Sequence, residues 1–196
     1  MIVLGIDPGS RHMGWGVVAR DGTRMRHVAH GTIEAVVGLS QGASFADRLV
    51  VIEEQLVEIL RLHRPTCASV EGIFYAKDAQ AASKLGHARG VALLVCARAG
   101  LEIAEYPPAR VKRTVAGGGR ADKHQVAQMV RVILCLRELP APDAADALAL
   151  AVTHLSQVRA ALGAPAAAAR PLRLSQGFVA KGRLPRRVHG RKGSTV

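Results

Sequence analysis

The sequence predicts an α/β protein, a mixed five-stranded sheet flanked by helices. Three observations carry the prediction. The chain opens on a nearly all-apolar run, Ile2–Asp7, that reads as a central strand. Two more strand patterns follow it across the hairpin signal Asp21-Gly22. Beyond them strands and helices alternate. Three consecutive strands pair economically as an antiparallel meander, and strand–helix–strand units add parallel partners beside it.

Taken in order, Pro8-Gly9-Ser10 turns the first strand, and Gly14–Arg20 and Met25–Glu34 form the next two. Ser44–His63 is a helix: Ser44 with Asp47 resembles a capping box, and Leu49, Ile52, Leu56, Ile59 and Leu60 recur at helical spacing before Pro65. Cys67–Glu71 is a short strand. Asp78–Ala99 is a helix rich in small residues, among them Gly86, Ala88, Gly90 and Ala92, and Gly100 closes it. Such a face permits close approach by another helix, in the same chain or in a partner. Leu101–Tyr106 is the fifth strand. A short helix covers Arg110–Val115, and Asp122–Leu134 and Pro142–Leu162 are the last two. Residues 163–196 lose periodicity and gain Pro, Gly and Arg, which predicts a disordered basic tail behind a single domain, 1–162.

Composition narrows the function. Hydrophobic residues make up 49 % of 196, enough for a core, while aromatics are only 3 %. The net charge of +12 suggests a polyanionic partner, with nucleic acid first. Residues 164–196 carry eight Lys/Arg and no acid, whereas residues 1–163 carry nineteen against fifteen acids. Cys67, Cys96 and Cys135 lie far apart in apolar stretches, which predicts buried thiols in a reducing compartment. No secretory signal precedes the first strand and no uncharged apolar run approaches a membrane span, so a cytoplasmic location is expected.

Both Ile2–Asp7 and Cys67–Glu71 end on a carboxylate. If these strands pair in parallel, Asp7 and Glu71 emerge at one sheet edge, where α/β sheets place their ligands. Asp143 and Asp146 open the last helix in "PDAADALAL", about 60° apart on its surface. Each acid alone has an ordinary reading. Asp143 and Asp146 suit the first turn of a helix dipole, Asp7 suits a turn, and Glu71 suits a surface. Together they would converge four carboxylates on one place, where each raises the pKa of the others. Two divalent cations balance four such charges. Oxygen-only ligands favour Mg²⁺ or Mn²⁺, and two ions about 3.5–4 Å apart can act on one phosphodiester. That is nuclease chemistry.

"IVLGIDPGSRHMGWGVV", "VEGIFYAKDAQAASKLGHARGVALL", "PPARVKRTVAGGGRADKHQVAQMVR" and "PDAADALALAVTH", in this order, resemble the RuvC-type Holliday junction resolvases across roughly residues 2–157. The resemblance implies a ribonuclease-H-like fold, a homodimer, and Mg²⁺-dependent resolution of four-way DNA junctions by paired symmetric nicks in recombination and repair. It carries the catalytic, metal-holding acids to Asp7, Glu71, Asp143 and Asp146, and implies the RuvA and RuvB branch-migration proteins as partners. It also implies that the helix Asp78–Ala99 supplies much of the dimer interface. Lys112 and Lys123 match basic positions near the scissile strand, with Lys77, Lys84, Arg89 and Arg113 as secondary phosphate contacts. Phe74 matches a phenylalanine that contacts the junction and stacks on an unpaired base; Tyr75 beside it suits stacking or packing equally. Gly72 departs from the family, which usually carries a polar residue there, often glutamine.

Two other features and two rival functions stand beside this reading. "AGGGRADKH" is not a phosphate loop, because Asp122 and His124 stand where glycine and Ser/Thr are needed; Asp122 instead caps the next helix. His154 returns to the face of Asp143 but about 16 Å along the axis, which predicts a structural role. Rival functions are an actin-like ATPase or kinase, which needs two such domains, and a non-catalytic junction-binding protein, which would bind without metal-dependent nicking.

Overall fold

The computed structural model describes residues 1–36, 43–72 and 79–163, with side chains to residue 158. Among them the order is β1 (Ile2–Asp7), β2 (His12–Asp21), β3 (Arg24–Glu34), α1 (Phe45–His63), β4 (Cys67–Glu71), α2 (Ala79–Arg98), β5 (Glu102–Tyr106), α3 (Pro108–Ala116), α4 (Lys123–Ile133) and α5 (Pro142–Gly163). The sheet runs β3-β2-β1-β4-β5. β1, β2 and β3 are antiparallel neighbours, and β4 and β5 extend the sheet in parallel. The mixed five-stranded arrangement is the one the sequence predicts.

Local chemistry sets the ends of the elements. Ser44 caps α1 reciprocally with Asp47, and Arg64 closes it in a left-handed conformation before Pro65. Asp122 does the same for α4 with Gln125. α3 begins two residues earlier than expected, because Pro108 sits comfortably in a first turn where no N–H is needed. β2 begins two residues early, since His12 pairs with Glu34 although neither is apolar.

Strand alternation builds a core on each face of the sheet. Leu4 and Ile6 join Met13, Ile52, Leu56, Ala88 and Ala92 beneath α1 and α2. Val3 and Val18 join Val111, Val126, Val130, Leu148, Val152 and Leu155 beneath α3, α4 and α5. The 3 % aromatic content is met as expected, by aliphatics and alanine.

α5 lies directly on the backbone of β1 and β2. A Cβ at Gly5 would stand 1.9 Å from the carbonyl oxygen of Ala147, and one at Gly14 2.0 Å from that of Asp143. One at Gly16 would stand 2.7 Å from the Leu148 side chain. These three glycines are needed because nothing larger than hydrogen fits under the helix. The contact puts the first turns of α5 beside the end of β1.

The thiol expectation holds for Cys67 and Cys96, which are buried, and fails for Cys135, which is exposed. Cys135 follows α4 with φ 52°, a left-handed position that turns it away from the core while its N–H reaches back to Val132. Burial pushes the Cys96 thiol up to about 11. Among the described residues no helix is long and apolar enough to cross a membrane.

Candidate active site

The parallel register Ile6↔Val70 brings the last residues of β1 and β4, Asp7 and Glu71, to the same edge of the sheet. α5 delivers Asp146 to them, and α3 and α4 deliver Lys112 and Lys123. All five side chains line one cavity of about 260 Å³. Its apolar wall includes Val111, Val126 and Leu150. Asp143 stands beside the cavity rather than in its lining. Its charge still acts on Asp7 and Lys123, while its carbonyl rests on Gly14.

The electrostatics are those of a site short of positive charge. Burial, then the neighbouring Glu71 and Asp146 and more weakly Asp143, push the Asp7 carboxyl up to about 8, with Lys123 opposing. Burial and Asp146 raise Glu71 as well, opposed by its hydrogen bond with Asp7 and by Lys123 and Lys112. Two carboxyls this close share a proton when no cation is present. Lys123 donates to Asp146 across 2.9 Å. Its own side chain is 74 % exposed against 26 % for Asp146, so the lysine reaches the acid from the solvent side. That hydrogen bond, then the Asp146 charge, hold the Lys123 ammonium above its ordinary pKa.

The donor set fits a hard divalent cation. It is oxygen only, partly buried, and carries more negative charge than the two lysines offset. As placed, no three His, Cys, Asp or Glu side chains among the described residues stand close enough to enclose an ion. The Lys123 ammonium is the cation paired with the Asp146 carboxylate in this structure.

Other expected positions resolve differently. Phe74, Tyr75 and Lys77 lie outside the described residues. Gly72 donates its N–H to the Tyr106 carbonyl at 2.9 Å, and a Cβ there would meet only ordinary contacts at 3.5 Å, so space alone does not demand glycine. His154 is buried with Nδ1 3.0 Å from the Tyr106 hydroxyl, the structural role expected of it. Arg89 is not placed as a free phosphate contact. Its Nε donates to the Glu71 carbonyl at 3.2 Å and its Nη2 pairs with Glu105. Sequence reasoning missed Glu105 altogether. The available signal was its place in β5, opposite Val70 and one residue short of Glu71's partner Tyr106.

The profile of the family described as "Crossover junction endodeoxyribonuclease RuvC" matches residues 3–154. The protein of that name from Sorangium cellulosum (strain So ce56) is 55 % identical over 183 residues, 90 % of this chain and 100 % of that one. The one from Halorhodospira halophila is 49 % identical over 168 residues, 86 % of this chain and 98 % of its own. Among solved structures, "T. thermophilus RuvC in complex with Holliday junction substrate" superimposes with a TM-score of 0.75 at 38 % identity, covering 82 % of this chain and 96 % of that one. The yeast mitochondrial Holliday junction resolvase Ydc2, at 12 % identity and TM-score 0.59 over 81 % of this chain and 80 % of its own, shares the ribonuclease-H-like fold.

Proposed function

The chain belongs to the RuvC family of crossover junction endodeoxyribonucleases and is an endonuclease that resolves Holliday junctions, and we propose that it cuts through the carboxylates of Asp7, Glu71, Asp143 and Asp146. The observation that carries this reading is the meeting of Asp7, Glu71 and Asp146 with two lysines in one cavity at the carboxyl ends of parallel strands.

Asp7 and Glu71 are fixed by the sheet, and Asp146 and Asp143 by the seat of α5 on Gly14. These four would hold Mg²⁺, two ions at full load with Mn²⁺ as a substitute, and the metal would supply activation of water and stabilisation of the leaving oxygen. Lys112 and Lys123 hold phosphates of the scissile strand. Lys123 leaves Asp146 to do so, so its ammonium passes from protein to substrate. Phe74, in the segment after Glu71, stacks on a base at the junction centre.

We further propose a homodimer whose two sites nick opposing strands symmetrically. α2 supports it: added Cβ atoms at Gly86 and Gly90 meet nothing within 4 Å, and Leu94 is 51 % exposed. The nuclease domain is 1–162, and the basic residues 163–196 widen the phosphate footprint. The expected partners are four-way junction DNA and the RuvA and RuvB proteins, in the cytoplasm, where free thiols such as Cys67 and Cys96 persist.

The test is cleavage of a synthetic four-way junction beside a linear duplex, with Mg²⁺ or with EDTA. Paired nicks on the junction alone, only with Mg²⁺, and lost in Asp7→Asn while junction binding is kept, are expected. Metal-independent cutting, or an active Asp7→Asn, would remove the carboxylate site.

A further inference from the structure

We infer that Arg89 is a positioning residue for Glu71, locked in place by Glu105. The inference rests on Glu71 being one of the four working acids. Glu71 is the last residue of β4, and its neighbour β1 pairs no further than Ile6↔Val70. On the other side β5 reaches it through Tyr106, whose carbonyl takes the Gly72 N–H. The Glu71 carbonyl is left to a side chain: Arg89 of α2 donates Nε to it at 3.2 Å. The same guanidinium reaches Glu105 of β5, opposite Val70 in the register. One planar group therefore ties α2, β4 and β5 together at the peptide that carries the Glu71 carboxylate.

Burial separates this from a chance surface pair. The Arg89 side chain is only 13 % exposed, so its charge is costly unless both ends of the fork are satisfied. Glu105 keeps about half its surface in water and supplies the counter-charge. Arg89 touches a main-chain oxygen, not the Glu71 carboxylate. What it controls is where the carboxylate stands. A displacement of about 1 Å in a reacting group can cost about 100-fold in rate, and loss of a group that orients a metal ligand costs about 10–100-fold in metal affinity or activity.

The experiment compares Arg89→Gln, Arg89→Lys, Glu105→Gln, the Arg89→Gln/Glu105→Gln double variant and Glu71→Gln in the full chain. Three quantities are read: single-turnover cleavage of a four-way junction with Mg²⁺, junction Kd in EDTA, and Mn²⁺ affinity without DNA by calorimetry. Arg89→Gln and Glu105→Gln should each lose about 10–100-fold in cleavage rate and weaken Mn²⁺ binding, with junction Kd within about twofold. Arg89→Lys should fall between parent and Arg89→Gln. The double variant should be no slower than Arg89→Gln, because the pair acts as a unit. Parent-like cleavage and Mn²⁺ affinity in Arg89→Gln, weakened junction binding in place of slowed cleavage, or additive losses would each overturn the assignment. If Arg89→Gln does not fold, Glu105→Gln decides alone by the same criteria. An active Glu71→Gln would instead remove the acid-site reading itself, whereas an inactive Glu71→Gln beside a parent-like Arg89→Gln would overturn only the role of Arg89.

Discussion

Asp7→Asn should stabilise the metal-free protein, most strongly at alkaline pH. The Asp7 carboxyl titrates near 8 in the folded chain against 3.8 for a free aspartate. Between those values the folded state holds a proton that the unfolded state has released. Stability therefore falls as pH rises from about 4 to about 8 and levels off above. A tenfold change in proton affinity is worth about 1.4 kcal/mol, so the whole difference would cost about 5–6 kcal/mol at pH 8. Glu71 shares the proton and part of the strain, which brings the expected cost carried by Asp7 to about 2–4 kcal/mol. Asparagine keeps the shape, removes the charge and still offers Glu71 a donor. For a domain of this size the gain corresponds to about 5–12 °C in Tm. The assay is thermal unfolding in EDTA at pH 5 and pH 8, parent against variant. The gap should be small at pH 5 and widen several-fold at pH 8, and millimolar Mg²⁺ should raise the parent more than the variant. A variant less stable than the parent at pH 8, or a gap that does not change with pH, would refute the reasoning.

Gly14→Ala should lower Tm and slow cleavage about 100-fold, because its Cβ would stand 2.0 Å from the Asp143 carbonyl and force α5 to move; unfolding and junction cleavage measure both. Lys123→Met should tighten Mn²⁺ binding in the absence of DNA, since the cation that competes for Asp146 is gone, yet slow cleavage at least about 10-fold. Calorimetry and single-turnover kinetics check the two halves. Junction affinity should fall about 10³-fold or more between 50 and 200 mM salt if six or more phosphates are contacted, and removal of residues 164–196 should flatten that slope while cleavage persists; binding isotherms across salt test it.

Much of this architecture is legible along the chain because it is written in local chemistry. The apolar runs of β1 and β4 end in Asp7 and Glu71, and parallel pairing follows because two antiparallel steps align β3 with β1 and the α1 crossover carries that direction from β3 to β4. Ser44 with Asp47, and Asp122 with Gln125, mark two helix starts to the residue. What stays hidden depends on distance in sequence. The partner of Lys123 lies 23 residues on, and that of Arg89 lies 16 on. No spacing rule reaches across such gaps, so Arg89 reads as one more free cation. Cys135 misleads for a local reason: its apolar neighbours Leu134 and Leu136 pack inward, while a left-handed turn rotates the residue between them outward.

The contact of α5 with bare main chain at Gly5 and Gly14 also decides what can be altered without harm. A side chain in contact can change rotamer, as Leu148 can against Gly16, but a peptide resting on a peptide has no rotamer to adjust. The placement of Asp143 and Asp146 thus rests on these backbone contacts as well as on the aliphatic layer that α5 enters through Leu148, Val152 and Leu155. An engineer seeking a hardier enzyme can make volume-conserving swaps in the aliphatic layers, provided Gly5 and Gly14 are left bare.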